Sequence, residues 1–202
     1  NDAKGNFFIK FLSVFNIFSQ GYYYINVIFY SFVTLFGPIA VYRVMKDVYR
    51  EKPIAVLVAT FLIPSFLYWT SGIHKEGLMF TGIGLIVFHI YFGLKETNIG
   101  FKRIFIILLS LSILLVLRNF LFVLIIPAII AWLLSAKFPK RVLAIFSIVY
   151  IVCGILFFTL RYINPSLDFP SAVVDRQNAF SQLQGGSAVP IKKLEPGFVS
   201  FI

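Results

Sequence analysis

The sequence has little charge. Only 13% of its 202 residues are Asp, Glu, Lys or Arg, against about a quarter in soluble globular domains. Hydrophobic residues make up 59%, and the mean hydropathy is +0.91. Too few polar groups exist to coat a water-soluble globule, which excludes a soluble enzyme. A chain with 25 Phe is not disordered, because disorder requires a scarcity of such residues. With 13 Gly and 9 Pro, neither collagen-like nor low-complexity structure fits. The lone cysteine, Cys153, excludes an internal disulfide and a zinc cluster. It lies in an apolar run and reads as lipid-facing or packed. No HExxH, Walker, CxxC or Ser-His-Asp pattern occurs, so no motif names a metal or a cofactor, and both stay open. There is no initiator Met and no signal peptide, and the last residues, Phe198 to Ile202, renew an apolar run. The chain therefore reads as a fragment of a longer protein.

What is present is a series of long apolar runs. They predict an all-α, polytopic transmembrane bundle with about six membrane segments. Residues 1–21 read as an outer interfacial segment. Within it Asn6 to Phe18 is apolar but too short to span, and lies on the membrane surface. Residues 22–160 read as the transmembrane region, and 161–202 as an extracytoplasmic loop leading to a further, cut apolar segment. The spans are Tyr22 to Tyr42, Pro53 to Trp69 with a kink at Pro64, Gly77 to Leu94, and Val142 to Leu160. Tyr22-Tyr23-Tyr24 suits the headgroup zone. Ile104 to Leu134 would be about 46 Å as one helix. Arg118-Asn119 divides it into two arms of about 21 to 23 Å. These form a hairpin that does not fully cross, or cross where the bilayer is thin.

The 18 basic residues outnumber the 8 acidic ones, for a net charge of +10. No nucleic-acid motif accompanies this excess, whereas cytoplasmic loops of membrane proteins collect Lys and Arg. With the hairpin, loops 43–52, 95–103 and 137–141 share a side and carry ten basic residues, while links 70–76 and 118–119 carry two. The ten-charge side is placed in the cytoplasm.

Candidate chemistry gathers on the opposite side. Trp69 marks the outer interface, and Thr70-Ser71-Gly72 leads into His74-Lys75-Glu76. Adjacent residues on a helix point about 100° apart, so those three cannot all face one ligand. Glu76 suits a helix start and Lys75 does not. The segment is either a solvated helix-capping link or an anion-contacting surface with acid/base capacity. Arg118, between Leu117 and Asn119, either snorkels to headgroups or holds a phosphate of a lipid-linked substrate. Asp2, Asp168 and the Asp175-Arg176 pair lie on the same outer side, and His89 reads as a packed histidine. Thr81-Gly82-Ile83-Gly84 is a small-residue patch that permits close helix approach, not a dinucleotide fingerprint. Gln184 to Ser187 reads as a flexible loop. No internal repeat is visible.

The run Pro64-Ser65 … Trp69 to Glu76 resembles that of polytopic bacterial membrane proteins of cell-surface polysaccharide loci, grouped with membrane-embedded (GT-C-type) glycosyltransferases. Asn1-Asp2-Ala3, Arg118-Asn119 and Asp175-Arg176-Gln177 … Phe180 … Leu183 … Gly186-Ser187 add to the likeness. The resemblance implies a bacterial inner-membrane protein that takes a sugar from a polyprenyl-phosphate carrier to a saccharide acceptor on the outer face. It implies Lys75 and Arg118 as phosphate contacts and Glu76 as acid/base, with His74 and Trp69 beside the substrate. The carboxylate expected in the first outer loop has no match here except Asp2. A transporter or flippase, and a non-catalytic assembly subunit, are the rival readings.

Overall fold

The structure, a computed structural model, describes residues 3–64, 72–97, 100–163 and 169–181. These residues form helices and short links, with no strand among them. The helices are α1 (Ala3–Ser19), α2 (Tyr23–Thr34), α3 (Phe36–Val48), α4 (Pro53–Phe61), α5 (Lys75–Lys95), α6 (Phe101–Leu117), α7 (Asn119–Lys137), α8 (Val142–Ile163) and α9 (Phe169–Ser181). Among the described residues, four helical stretches are long and apolar enough to cross a membrane: Tyr23–Val48, Lys75–Lys95, Asn119–Lys137 and Pro139–Tyr162. The chain forms two compact units, Asn1–Ile125 and Ile126–Ile202.

In the first unit α5 is the central element. It is apolar all round and packs on α3 along one side and on α6 along another, as expected of an enclosed helix. The α3 contact depends on small residues. A Cβ on Gly37 would lie 2.6 Å from the Cα of Thr81, and one on Gly84 would lie 2.7 Å from the Gly37 carbonyl oxygen. The two backbones thus touch, as the patch at residues 81–84 predicts. Gly82 looks the other way, toward Leu114 of α6 at 3.6 Å.

A proline explains one polar contact in this interface. In a regular helix the Thr34 carbonyl would accept from the N–H of residue 38, but Pro38 has none. The freed oxygen is 2.9 Å from the Thr81 hydroxyl. That hydroxyl also lies 2.9 Å from the Gly77 carbonyl. With one proton it serves one acceptor at a time. A side chain on α5 thus repairs a break in α2–α3, which hydrocarbon would otherwise leave unsatisfied.

The helix directions follow from contacts at the two ends. Tyr30 and Thr34 meet the start of α5, and Asp47 meets its end through Tyr91 and Lys95. Hence α2–α3 and α5 run parallel. Arg103 pairs with Glu96, and Arg118 with Glu76, so α6 runs antiparallel to α5. Links 43–52 and 95–103 therefore meet at one end of the unit, and residues 76 and 118 at the other. Helix α1 ends at Gln20 and Gly21, both with positive φ (52° and 86°), a reversal that glycine takes without strain. It then lies against α2 and α6.

The structure departs from the sequence reading in four places. Residues 43–48 are not loop, because α3 continues to Val48 and carries Arg43, Lys46 and Asp47 on its last turns. Basic side chains suit that end of a helix. Instead of a kink at Pro64, α4 stops at Phe61, ahead of the residues that a proline discourages from helix. The break at Arg118 is present, with φ −149° and ψ 93°. However, the 17- and 19-residue helices flanking it extend about 26 and 29 Å, longer than the apolar runs alone. Finally, α8 reaches Ile163 and α9 occupies 169–181, inside the expected outer loop. Pro170 is tolerated in the first turn of α9. Pro170 and Val174 are buried, and Phe169 stacks on Phe157 of α8 at 6.0 Å. Spacing of apolar residues outweighed polar composition there.

In the second unit, no residue in the most apolar window of Pro139–Tyr162 is buried by protein. Leu143 is 84% exposed. A contiguous apolar surface of this kind marks a membrane or protein contact.

Candidate functional site

The site is built at the N-terminus of α5. His74 is the N-cap residue, with extended backbone (φ −117°, ψ 140°) and no side-chain cap. Tyr30 acts instead. Its hydroxyl donates to the His74 carbonyl and accepts from the Leu78 N–H at 3.2 Å. These are the two groups that a regular helix would pair directly. Tyr30 is fully buried, with the Phe8 ring edge-on at 6.1 Å, so the start of α5 is fixed to α2.

From there successive side chains diverge as helical geometry requires. Lys75 turns to α1, its Nζ 5.8 Å from the centre of the Phe8 ring. This cation–π contact offsets the unfavourable place of a Lys at a helix start. Glu76 turns to α6, where its Oε1 lies 3.3 Å from Arg118 Nη2. Gly77 turns to α2, and a Cβ there would meet Thr34 and Tyr30 at 3.2 and 3.5 Å. The exposed His74 ring folds over Gly72.

The Glu76–Arg118 pair is a loose one. The side chains are 36% and 44% exposed, and such pairs contribute roughly 0–1 kcal/mol. The contact is single and long, whereas a strong Arg–carboxylate pair is bidentate at about 2.7–2.9 Å. Arg118 therefore keeps most of its donors for another acceptor, with its guanidinium 5.6 Å from the centre of the Phe120 ring. Lys75 forms no ion pair among the described residues. The arrangement offers two cations and one carboxylate at the positive end of a helix dipole. Chemically that suits a phosphate group beside a proton acceptor.

Of the residues singled out in the sequence, Glu76 and Arg118 come together, while Lys75, in the same turn, faces Phe8 of α1. Asp2, Trp69, Asp168, the Arg176 side chain and residues 184–187 lie outside the described residues. Asp175 is exposed on α9 in the other unit. His89 lies within α5 against Phe88, and its Nδ1 is buried without a hydrogen-bond partner, as for a packed histidine. Among the described residues no three metal-ligating side chains cluster.

Sequence reasoning missed the residues that position the site. Asn26, Tyr30 and Thr34 are buried on one face of α2, four residues apart. Asn26 donates to Asn16 of α1 at 2.5 Å, Tyr30 holds His74 and Leu78, and the Thr34 carbonyl meets Thr81. A polar stripe at helical spacing within an apolar run was the available signal. We expect Tyr30→Phe to cost about 1 kcal/mol, the usual worth of such a hydrogen bond. Thermal denaturation in detergent checks this. An unchanged midpoint would mean that α5 closes its first turn without the hydroxyl.

No family model, curated protein or solved structure matches the chain.

Proposed function

We propose that the protein is an integral membrane component of bacterial envelope polysaccharide synthesis. In this reading it transfers or polymerises sugar from a polyprenyl-phosphate carrier at the outer face of the inner membrane. The observation that carries the reading is the loose pairing of Glu76 with Arg118 at one end of α5, with Lys75 in the same helical turn. Arg118 and Lys75 would hold the carrier's phosphate oxygens. Glu76 would take the proton of the acceptor hydroxyl as its oxygen bonds to the anomeric carbon and the carrier phosphate leaves. The loose Glu76–Arg118 contact supports this division of labour, because the guanidinium can turn to phosphate without giving up a strong pair.

The test is to replace Arg118 and Lys75 separately by Ala in the full-length protein in its native host. Polymer output should fall at least ten-fold for Arg118→Ala, with normal protein levels and lipid-linked sugar accumulating at the outer face. Unchanged output would remove the phosphate role. Accumulation at the inner face would instead favour a flippase.

A further inference from the structure

The end of the first unit away from Arg118 carries a second arrangement of charge. Asp47 Oδ2 accepts from Tyr91 Oη at 2.8 Å and from Lys95 Nζ, while Oδ1 accepts from Arg50 Nη2 at 3.0 Å. One carboxylate thus joins α3 to α5 and accepts from three side chains. Around it, two adjoining clefts of about 600 and 440 Å³ are lined by Arg43, Lys46, Arg50, Lys52 and Lys95, with Asp47 and Glu51 as the acidic side chains. Five cations face two carboxylates. Lys52 forms no ion pair among the described residues.

An apolar groove of about 400 Å³ opens from this rim between α3, α4 and α5. Its walls include Val41, Met45, Val56, Ala59, Ile63 and Phe80, and almost none of its surface is polar. Tyr49 and Lys52 belong to both the groove and the larger charged cleft. The two therefore adjoin at these residues, the cleft charged and the groove hydrocarbon-like along its length.

We propose that cleft and groove together bind one anionic phospholipid. Its acyl chain lies in the α3–α4 groove, and its phosphate lies at Lys52, beside Arg50 and Lys95. Charge complementarity selects the headgroup, and the apolar groove adjoining the charged cleft at Tyr49 and Lys52 selects a lipid over a free anion. Asp47 has a positioning role: by fixing Arg50 and Lys95, it keeps the basic wall in place.

The test is ligand titration of the purified chain in neutral detergent, followed by native mass spectrometry, with phosphatidylglycerol, phosphatidylcholine and glycerol 3-phosphate as probes. Phosphatidylglycerol should bind about ten-fold more tightly than phosphatidylcholine. Lys52→Ala should weaken it roughly five-fold, the usual effect of one basic residue near an anionic headgroup, and Lys52→Arg should restore it. Ala59→Trp, or Ala55→Leu should the former fail to fold, should fill the groove and weaken binding with every charge intact. Equal affinity for the two lipids would overturn the headgroup assignment. Unchanged binding after groove filling, or displacement by millimolar glycerol 3-phosphate, would reduce the site to a plain anion patch and overturn the proposal.

Discussion

Gly84→Val is expected to cost at least 3 kcal/mol and to leave little folded protein. The first atom it adds already falls 2.7 Å from the Gly37 carbonyl oxygen and 3.2 Å from the Gly37 Cα. Both are backbone atoms of a packed helix and cannot rotate aside. Relief therefore requires α3 and α5 to part. Overpacking in a side-chain core typically costs about 1–3 kcal/mol. Here the penalty is larger, because separating the helices also strains the Thr81–Thr34 hydrogen bond and the ties from Asp47 to Tyr91 and Lys95. Gly82→Ala is the control, since its added carbon meets Leu114 at an ordinary 3.6 Å. It should be neutral, or up to about 1 kcal/mol stabilising through helix propensity. Thermal denaturation of both variants in detergent distinguishes them. A stable Gly84→Val protein would refute the close crossing.

The double exchange Glu76→Arg with Arg118→Glu should lower polymer output on the order of 100-fold, the scale of losing an oriented donor from a site of developing charge. Protein levels should stay close to normal. The exchanged pair can still form, and placing a cation in the first turn of α5 costs only about 0.3–1 kcal/mol. The exchange thus separates two roles that single substitutions confuse. A purely structural tie survives reversal, whereas a phosphate contact does not, because a carboxylate then stands where the guanidinium stood. Retained output would assign the pair to structure alone.

Much of the fold was legible in the runs of apolar residues. The limits of α5 fell within two residues of its expected ends, since an uninterrupted apolar stretch flanked by charges has few alternatives. The break at Arg118 was legible for the same reason: a charge between apolar arms seeks water. Hydropathy misled where the helix outlasts the hydrocarbon. Arg43, Lys46 and Asp47 are polar yet helical, because a helix emerging from a membrane keeps its own hydrogen bonds in water. Polarity likewise hid α9.

The candidate site was legible only by type. His74-Lys75-Glu76 and Arg118 were recognisable as scarce polar groups on one predicted side. Their distribution among α1, α2 and α6 depends on which helices neighbour α5, and a span pattern carries no neighbour information. The parallel pairing of α2–α3 with α5 illustrates this, because hydropathy gives the sequence of crossings and not their adjacency.

The carbonyl that Pro38 orphans has a bearing on biogenesis. Its partner, Thr81, lies 47 residues downstream, which at ribosomal speed is roughly 2–9 s of further synthesis. Until then the Thr34 carbonyl lacks the donor that the folded chain supplies. The bond that joins α2 to α5 at this point closes only once α5 has been made.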